Sequence, residues 1–170
     1  MKKIFISILL TIVLSPAYVS GQIATKQAGL RTGYRGGIFY QITNETGNAE
    51  TGFNALLSFN NNGIQLTLLR TIYENSLSVI SPDLFFVWGY GGHFGFINTD
   101  HLGFLGERYN FQSERFCPVF GADGWLAAEY RFRNIPLNIS LNIKPFIELT
   151  MPAFVKIMPA DLGVSVSYVF

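Results

Sequence analysis

Charged residues are scarce in this sequence of 170 residues. They make up 14% of the chain, against about a quarter in a typical soluble domain, while 49% of the residues are hydrophobic. The formal net charge is +1, so no strong overall field would attract nucleic acid or acidic substrates. The composition therefore argues against a nucleic-acid-binding protein and raises the question of where so much apolar surface is placed.

Cysteine and long hydrophobic runs are lacking as well. Cys117 is the only cysteine, so no internal disulfide can form, and it lies too far from the N-terminus to carry a lipid anchor. After Gln22 no stretch reaches about 18 consecutive apolar residues, which excludes transmembrane helices from the rest of the sequence. The hydrophobic residues must therefore belong to another regular structure.

The first residues have the pattern of a secretory signal peptide. Met1-Lys2-Lys3 gives a positive start, Ile4 to Leu14 is an apolar run, and the small residues Val19-Ser20-Gly21 predict cleavage directly after them. A membrane-anchoring helix is the less favoured alternative, because the apolar run is short for a membrane span and is followed by Ser15-Pro16. We therefore expect a signal peptide at residues 1–21 and one mature domain at residues 22–170.

The mature chain alternates between large apolar residues and small or polar ones. A period of two is typical of a β-strand with two different faces, and no sustained helical period competes with it. Such runs occupy seven stretches, at residues 30–43, 53–60, 64–69, 85–96, 123–132, 137–149 and 163–170. Asn62-Gly63 separates the second run from the third and predicts a hairpin turn, since both residues tolerate a positive φ.

Alternation alone fits two folds that place the apolar face on opposite sides. A soluble sandwich buries the apolar face, whereas a membrane barrel exposes it to lipid and lines its interior with the polar face. The signal peptide, the aromatic-rich faces of bilayer-crossing length and the aromatic end at Phe170 favour the barrel. We predict an all-β, antiparallel up-and-down transmembrane β-barrel, with a secreted sandwich as the alternative.

Several segments carry a family resemblance. Gly121 to Phe132, followed by Ile135 to Leu141 and Lys144-Pro145, resembles the small outer-membrane barrels common in Bacteroidetes, which are similar in outline to OmpA and OmpX barrels. The closing Ser165 to Phe170 is similar to the terminal signal that the barrel-assembly machinery reads, and Tyr168 and Phe170 are its aromatic positions. It departs from the family pattern at Ser165, where glycine is common. The resemblance implies an outer-membrane location surrounded by lipid, and most such proteins have no assigned biochemical role.

Seven runs conflict with the even strand number of bacterial barrels. We expect eight strands, the smallest number that fills a barrel interior with side chains. The candidate for the eighth is Ala153 to Met158, with Pro159-Ala160-Asp161 as the turn before the last strand, and the alternative is a break at Gly36-Gly37. Counting forward from Gln22 places the turn at Asn60 to Gly63 in the periplasm, while counting back from the C-terminus makes Arg133 to Pro136 periplasmic, and the two counts differ by one strand.

The predicted barrel interior receives a nearly balanced set of acids and bases. Charged groups in a narrow interior with little water must be paired, which predicts a salt-bridged plug rather than a conduit. The predicted network comprises Arg31, Arg35, His93, Asp123, Glu129, Arg131, Asn142, Lys144 and Glu148, joined by the uncharged residues Gln41, Asn54, Gln65, Thr67 and Asn138.

Catalysis is the least supported of three functional hypotheses. Some small outer-membrane barrels modify lipid A with a Ser/His/acid arrangement, and His93, His101 and Ser113 are the candidates here. Nothing in their spacing brings a base within reach of the hydroxyl, and no His/Cys cluster has metal-binding spacing. We therefore expect no enzyme and no cofactor. A structural or surface-interaction role comes first, and a barrel that binds or transports a small ligand comes second.

The segment from Ile97 to Phe120 is too long for an ordinary hairpin connection. It predicts an external contact surface, because binding residues often lie on loops above a rigid scaffold. The alternative is a solvated or partly strand-like extension. Cys117 lies in this segment and would be reactive if exposed, or packed as a small hydrophobic residue if buried. The external partner stays unidentified.

Overall fold

The computed structural model describes residues 24–46, 49–60, 63–104, 107–151 and 154–170, so the predicted signal peptide lies outside the described residues. The strand segments are β1 (Ala24–Arg31), β2 (Gly37–Thr46), β3 (Ala49–Asn60), β4 (Gly63–Glu74), β5 (Leu84–Phe104), β6 (Glu107–Arg131), β7 (Leu137–Ile143), β8 (Phe146–Thr150), β9 (Phe154–Met158) and β10 (Leu162–Val169). A 3-10 turn lies at Asn75–Leu77. No helix among these residues is long and apolar enough to cross a membrane.

The segments form one closed antiparallel barrel of eight strands, as predicted. Neighbours pair in chain order from β1 to β6, and β10 pairs with β1 to close the barrel. β7 and β8 are two halves of one barrel strand, interrupted at Lys144-Pro145, and both pair with β6. β9 and β10 are the two halves of the last strand. Closure of the sheet excludes the sandwich alternative.

The break at Gly36-Gly37 is confirmed, because the predicted run 30–43 contains two strands. β1 and β2 are joined through residues 32–36, where Gly33 has a φ of 144°, a backbone conformation that favours glycine. Leu30 pairs with Ile38 across this turn, so paired residues are both even or both odd in number. The alternation therefore continues through the turn without a change of phase, which conceals the turn in the sequence.

The prediction of Ala153 to Met158 as a separate eighth strand is wrong. β9 is the first part of the last barrel strand and pairs with β8, with Thr150 opposite Phe154, so the chain reverses direction between these two residues. Phe146 pairs with Met158 and Ile143 with Leu162, which leaves one extra residue on the last strand. Pro159-Ala160-Asp161 is thus an irregularity within a strand, comparable to a β-bulge, and not the predicted turn.

β5 and β6 are the longest segments, with 21 and 25 residues. β4 pairs with β5 only as far as Ile97, and β8 pairs with β6 only from Val119. Within the described chain, residues 98–118 therefore form a two-stranded extension with a register shift between Thr99 and His101. The segment predicted as a long loop is a hairpin, which is the strand-like alternative.

Both ends of the described barrel lie on the same side. The Phe170 amide donates a hydrogen bond to the Lys26 carbonyl at 2.9 Å. We call this side the terminal end, and the turns after β2, β4 and β6 also lie there. The opposite side is the loop end, with the turns after β1, β3, β5 and β8. The turn at Asn60 to Gly63 is therefore at the loop end. The forward strand count is wrong, because it omitted the turn between β1 and β2.

Large apolar side chains cover the outside of the barrel. Exposed examples from the eight strands are Leu30, Ile38, Phe53, Leu68, Phe94, Leu126, Leu141 and Val166. The apolar residues that point inward are few, and five of them, Leu69, Tyr73, Val87, Trp125 and Ala127, form one buried cluster. The rest of the buried interior is mainly polar, which makes this interior the candidate functional site.

Candidate functional site: the polar interior of the barrel

The interior brings together all nine residues of the predicted polar network. Eight of them are buried, and the ninth, Arg131, keeps 26% of its side chain exposed. The inward positions follow from the strand period of two, which turns every second residue of each strand toward the barrel axis. The charged residues fall into three groups along the barrel.

The largest group is a chain of five side chains from Arg35 to Lys144. Both Nη atoms of Arg35 donate to the Glu148 carboxylate, at 2.7 and 2.9 Å. Glu148 Oε2 lies 3.2 Å from His93 Nε2, and Asp123 Oδ2 lies 2.6 Å from His93 Nδ1. The other oxygen of Asp123 accepts a hydrogen bond from Lys144 Nζ at 3.0 Å. Basic and acidic groups alternate along the chain, so each charge has a neighbour of opposite sign or the imidazole.

His93 is at the centre of this chain. Both of its ring nitrogens face a carboxylate oxygen, so the imidazole can donate to both acidic residues only when both nitrogens carry a proton. The ring packs edge-on against Phe146 with centroids 5.8 Å apart. It also lies directly over Gly121, where any side chain would overlap the imidazole. Gly121 therefore provides the space that His93 occupies.

An aromatic ring helps to accommodate the buried cations of the chain. Phe146 has the Arg35 guanidinium 4.6 Å from its ring centroid and the Lys144 ammonium 5.1 Å from it. Cations are attracted to the negative face of such a ring. Burying a charge is costly unless it is paired and hydrogen-bonded. This group therefore joins the turn after β1 to β5, β6 and β8 through mutually dependent contacts.

A second group joins the first strand to the last. Arg31 donates from Nη1 to Asp161 Oδ2 at 3.2 Å, from Nη2 to the Asp161 carbonyl at 2.9 Å, and from Nε to Asn142 Oδ1 at 2.8 Å. The other carboxylate oxygen of Asp161 accepts from the Tyr34 amide at 3.0 Å. Backbone hydrogen bonding across this seam ends with the Thr32 amide, which donates to the Val164 carbonyl at 2.8 Å, while the last strand continues toward the loop end. Asp161, missed by sequence reasoning, therefore closes the seam beyond the last backbone pair.

The third group lies toward the terminal end. Arg131 donates from both Nη atoms to the two oxygens of Glu50 at 2.9 and 2.7 Å, and from Nε to Glu129 Oε1 at 2.9 Å. Its guanidinium lies over the rings of Phe85 and Tyr73, at 4.2 and 4.7 Å from their centroids. Glu50 and Tyr73 were not among the predicted residues, because the predicted strands did not extend to either position.

Uncharged hydrogen bonds fill the space between the charged groups. The Tyr73 hydroxyl accepts from Gln41 and, at 3.5 Å, from Gln27. Gln27 Oε1 in turn accepts from Asn138 at 3.2 Å and from Ser167 at 2.7 Å. A cavity of about 10 Å³ remains at this level, which is room for about one water molecule. A wider recess of about 420 Å³ lies at the terminal end.

Comparison with known proteins adds information on the fold. No family model matches this sequence, and no curated protein sequence matches it either. The fold resembles that of a known bacterial barrel. The N-terminal β-barrel domain of Pseudomonas aeruginosa OprF superimposes with a TM-score of 0.54 at 12% identity, covering 89% of this chain and 100% of that domain. Neisserial surface protein A gives 0.44 at 11% identity, covering 86% and 96%. At 12% identity the likeness to OprF shows a shared fold alone.

In the part of the chain that the structure describes, the catalytic candidates do not form a site. The ring nitrogens of His93 contact the carboxylates of Asp123 and Glu148. The side chains of His101 and Ser113 lie outside the described residues. In the described part of the chain, no group of three or more His, Cys, Asp or Glu side chains is arranged to hold a metal ion. Cys117 is buried in the interior, with 2% of its surface exposed.

The aromatic residues of the predicted assembly signal lie on the outside of the last strand. Tyr168 and Phe170 are both exposed, and their rings stack with centroids 6.4 Å apart and planes inclined by 23°. The centroid of the Phe170 ring also lies 6.3 Å from that of Tyr40 on β2, the second strand across the seam. The C-terminus therefore presents a small aromatic patch at the terminal end.

Proposed function

We propose that this protein is an integral outer-membrane β-barrel with a structural or surface-interaction role and no catalytic activity. The observation that carries the proposal is the direction of its polarity. Phe53 and Leu30 are 67% and 63% exposed on the outer wall, whereas Lys144 and Asn142 are fully buried. Water favours the opposite arrangement, while lipid favours this one. An apolar surface around a whole barrel far exceeds the patches usual on soluble monomers.

The two ends of the chain support the same proposal. Residues 1–21 have the sequence of a secretory signal peptide, and the mature chain would begin at Gln22. The outward aromatic pair Tyr168 and Phe170 fits recognition by the barrel-assembly machinery during insertion. A relationship to the small barrels of Bacteroidetes is part of this proposal and rests on the segment from Gly121 to Phe132.

The described interior favours a closed plug over a transport path. Ion pairs, amide hydrogen bonds and the cluster around Trp125 fill the barrel at successive levels. A barrel of eight strands also has an interior just wide enough for side chains. The hairpin at residues 98–118 is the candidate for an external contact surface, since it extends past the neighbouring strands.

Membrane fractionation combined with electrophoretic mobility tests the proposed location. The mature protein should stay with the outer membrane after carbonate washing, begin at Gln22 by mass spectrometry, and migrate differently before and after boiling. Reconstituted into planar bilayers, it should give no sizeable steady conductance. A water-soluble periplasmic monomer would overturn the membrane proposal, and a stable large pore would overturn the plug.

A further inference from the structure

Arg70 is an isolated charge on the outer wall of the barrel. Leu69 and Thr71 point inward, so Arg70 points outward between Leu68 and Ile72. The other charged side chains that point outward from the described barrel strands, Lys26 and Glu74, lie closer to the ends of their strands. The Arg70 guanidinium forms no ion pair with any of the described residues. An unpaired cation at such a place requires a partner from outside the chain, because ionisable groups facing lipid are costly and mark functional sites.

Two aromatic residues flank this guanidinium. Phe53 on β3 and Tyr90 on β5 are the direct cross-strand neighbours of Arg70. Both are largely exposed, and side chains in such paired positions are close enough to touch. The aromatic neighbours limit the access of water to the cation from either side. A ligand would therefore approach along the wall, from the surrounding membrane.

The position of Arg70 along β4 indicates a level below the membrane surface at the terminal end. It lies four residues before Glu74, where β4 ends. With a rise of about 3.3 Å per residue and a tilt of about 40°, four residues span roughly 10 Å along the barrel axis. Trp88 donates from its indole to Glu74 at 2.7 Å, an arrangement typical of an interfacial tryptophan. A long arginine side chain can extend from this depth toward the lipid headgroups.

The wall beside Tyr90 is unusually bare. Gly92, Ala122 and Gly124 point outward on β5 and β6, where Gly92 pairs with Ala122 and Tyr90 pairs with Gly124. Pro145 packs beside Gly124 and Phe94 borders Gly92, so the bare strip consists of Gly92 and Ala122. An extended hydrocarbon chain matches the strip in shape and polarity. The strip and the cation lie on either side of Tyr90, so one amphipathic molecule can reach both.

We propose that Arg70 binds the phosphate of a glycerophospholipid in the leaflet at the terminal end, with one acyl chain over Gly92 and Ala122. A guanidinium can donate two parallel hydrogen bonds to phosphate oxygens, which adds geometric specificity to the charge attraction. This inference rests on the proposed membrane location, because it requires the outer wall to face lipid.

Native mass spectrometry of the full mature protein in mild detergent tests the site. The probes are dioleoyl-phosphatidylglycerol and dioleoylglycerol, which share acyl chains and differ in the phosphate headgroup. The wild-type protein should retain one phosphatidylglycerol and bind the phosphate-free lipid weakly. Arg70→Gln should weaken retention roughly tenfold or more, given the strength of charged hydrogen bonds. The matched control is Lys26→Gln, which removes an outward cation at the terminal end of β1 and should leave retention unchanged.

Equal retention of phosphatidylglycerol by wild type and Arg70→Gln would overturn the site. Equal binding of the two lipids would also overturn it, because it would indicate an acyl groove without headgroup recognition. The electrophoretic shift on boiling is recorded for each variant. Arg70→Gln should fold normally, because it removes a charge from a lipid-facing wall. Failure of the wild type to fractionate with membranes would instead contradict the proposed function, so the two failures are distinguishable.

Discussion

Arg35 and Glu148 are 113 residues apart in the sequence and form a two-pronged ion pair inside the barrel. Arg35 lies in the turn after β1 and Glu148 on β8, so no backbone ladder connects them. Their side chains are 5% and 1% exposed, so water cannot solvate the remaining charge when one partner is removed. The pair therefore fixes the turn after β1 against the strands across the interior.

Glu148→Gln should strongly destabilise the barrel. The substitution keeps the volume but leaves the Arg35 guanidinium buried without its counter-charge, a change that typically costs about 3–5 kcal/mol. Urea unfolding in lipid vesicles measures the loss. Asp83→Asn is the matched control, because it breaks an ion pair with Arg133 that is largely exposed and should have a much smaller effect. Equal effects of the two substitutions would contradict the importance of the interior pair.

Asp161→Ala should loosen the seam between the first and last strands. Asp161 accepts from Arg31 and from the Tyr34 amide, so its removal frees both donors. Hydrogen exchange at the Tyr34 amide should accelerate roughly tenfold or more, as expected for the loss of a hydrogen bond to a charged acceptor. The amide of Leu56, in the centre of β3, serves as the internal control and should exchange at its original rate. Unchanged exchange at Tyr34 would show that the seam is closed by other contacts.

Gly121→Ala should displace His93 from its position between the two carboxylates. An added methyl group would overlap the imidazole and the carbonyl of Ile147. Overpacking of this kind typically costs about 1–3 kcal/mol. Gly124→Ala on the same strand is the control, because its methyl group would meet the edge of the Pro145 ring at 3.0 Å and point outward. Unfolding midpoints of both variants provide the comparison, and a Gly121→Ala protein as stable as wild type would disprove the tight packing at His93.

Cys117 should be unreactive in the folded barrel. Its thiol is buried in the interior, so a bulky maleimide cannot reach it until the strands separate. Mass spectrometry should find no labelled protein in mild detergent and complete labelling in denaturant. Phe116→Cys in a Cys117→Ser background is the positive control, because Phe116 is 64% exposed on the outer face. Rapid labelling of native Cys117 would contradict the inward orientation of its side chain on β6.

The period of two predicted the faces of the strands but not all of their ends. Leu30 and Ile38 point outward on different strands, and the turn between them preserves the alternation, so one predicted run concealed two strands. The opposite happens at Pro159-Ala160-Asp161, where an extra residue shifts the outward positions from odd numbers such as Ile157 to even numbers such as Val164. A change of phase therefore suggested a turn where the strand continues.

The interior network was predictable where both faces of a strand differ clearly. His93, Asp123 and Glu148 occupy the polar positions of strongly alternating runs, and the fold places them side by side. Glu50 lies in a stretch where both faces are polar, so no alternation assigned it to the interior. Asp161 resembles a solvent-exposed turn residue in the sequence. Its partner Arg31 is 130 positions away, and only the closure of the barrel brings the two together.

The hairpin at residues 98–118 has a consequence for how the protein tolerates change. In the described part of the chain its two strands pair with each other and with no third strand, so its length does not set the strand stagger of the barrel. Residues can be removed or inserted in pairs, one on each strand, while the wall keeps its register. Peptides inserted into this ribbon would lie beyond the wall, so the hairpin is a part of the described chain where added sequence should leave the barrel register unchanged.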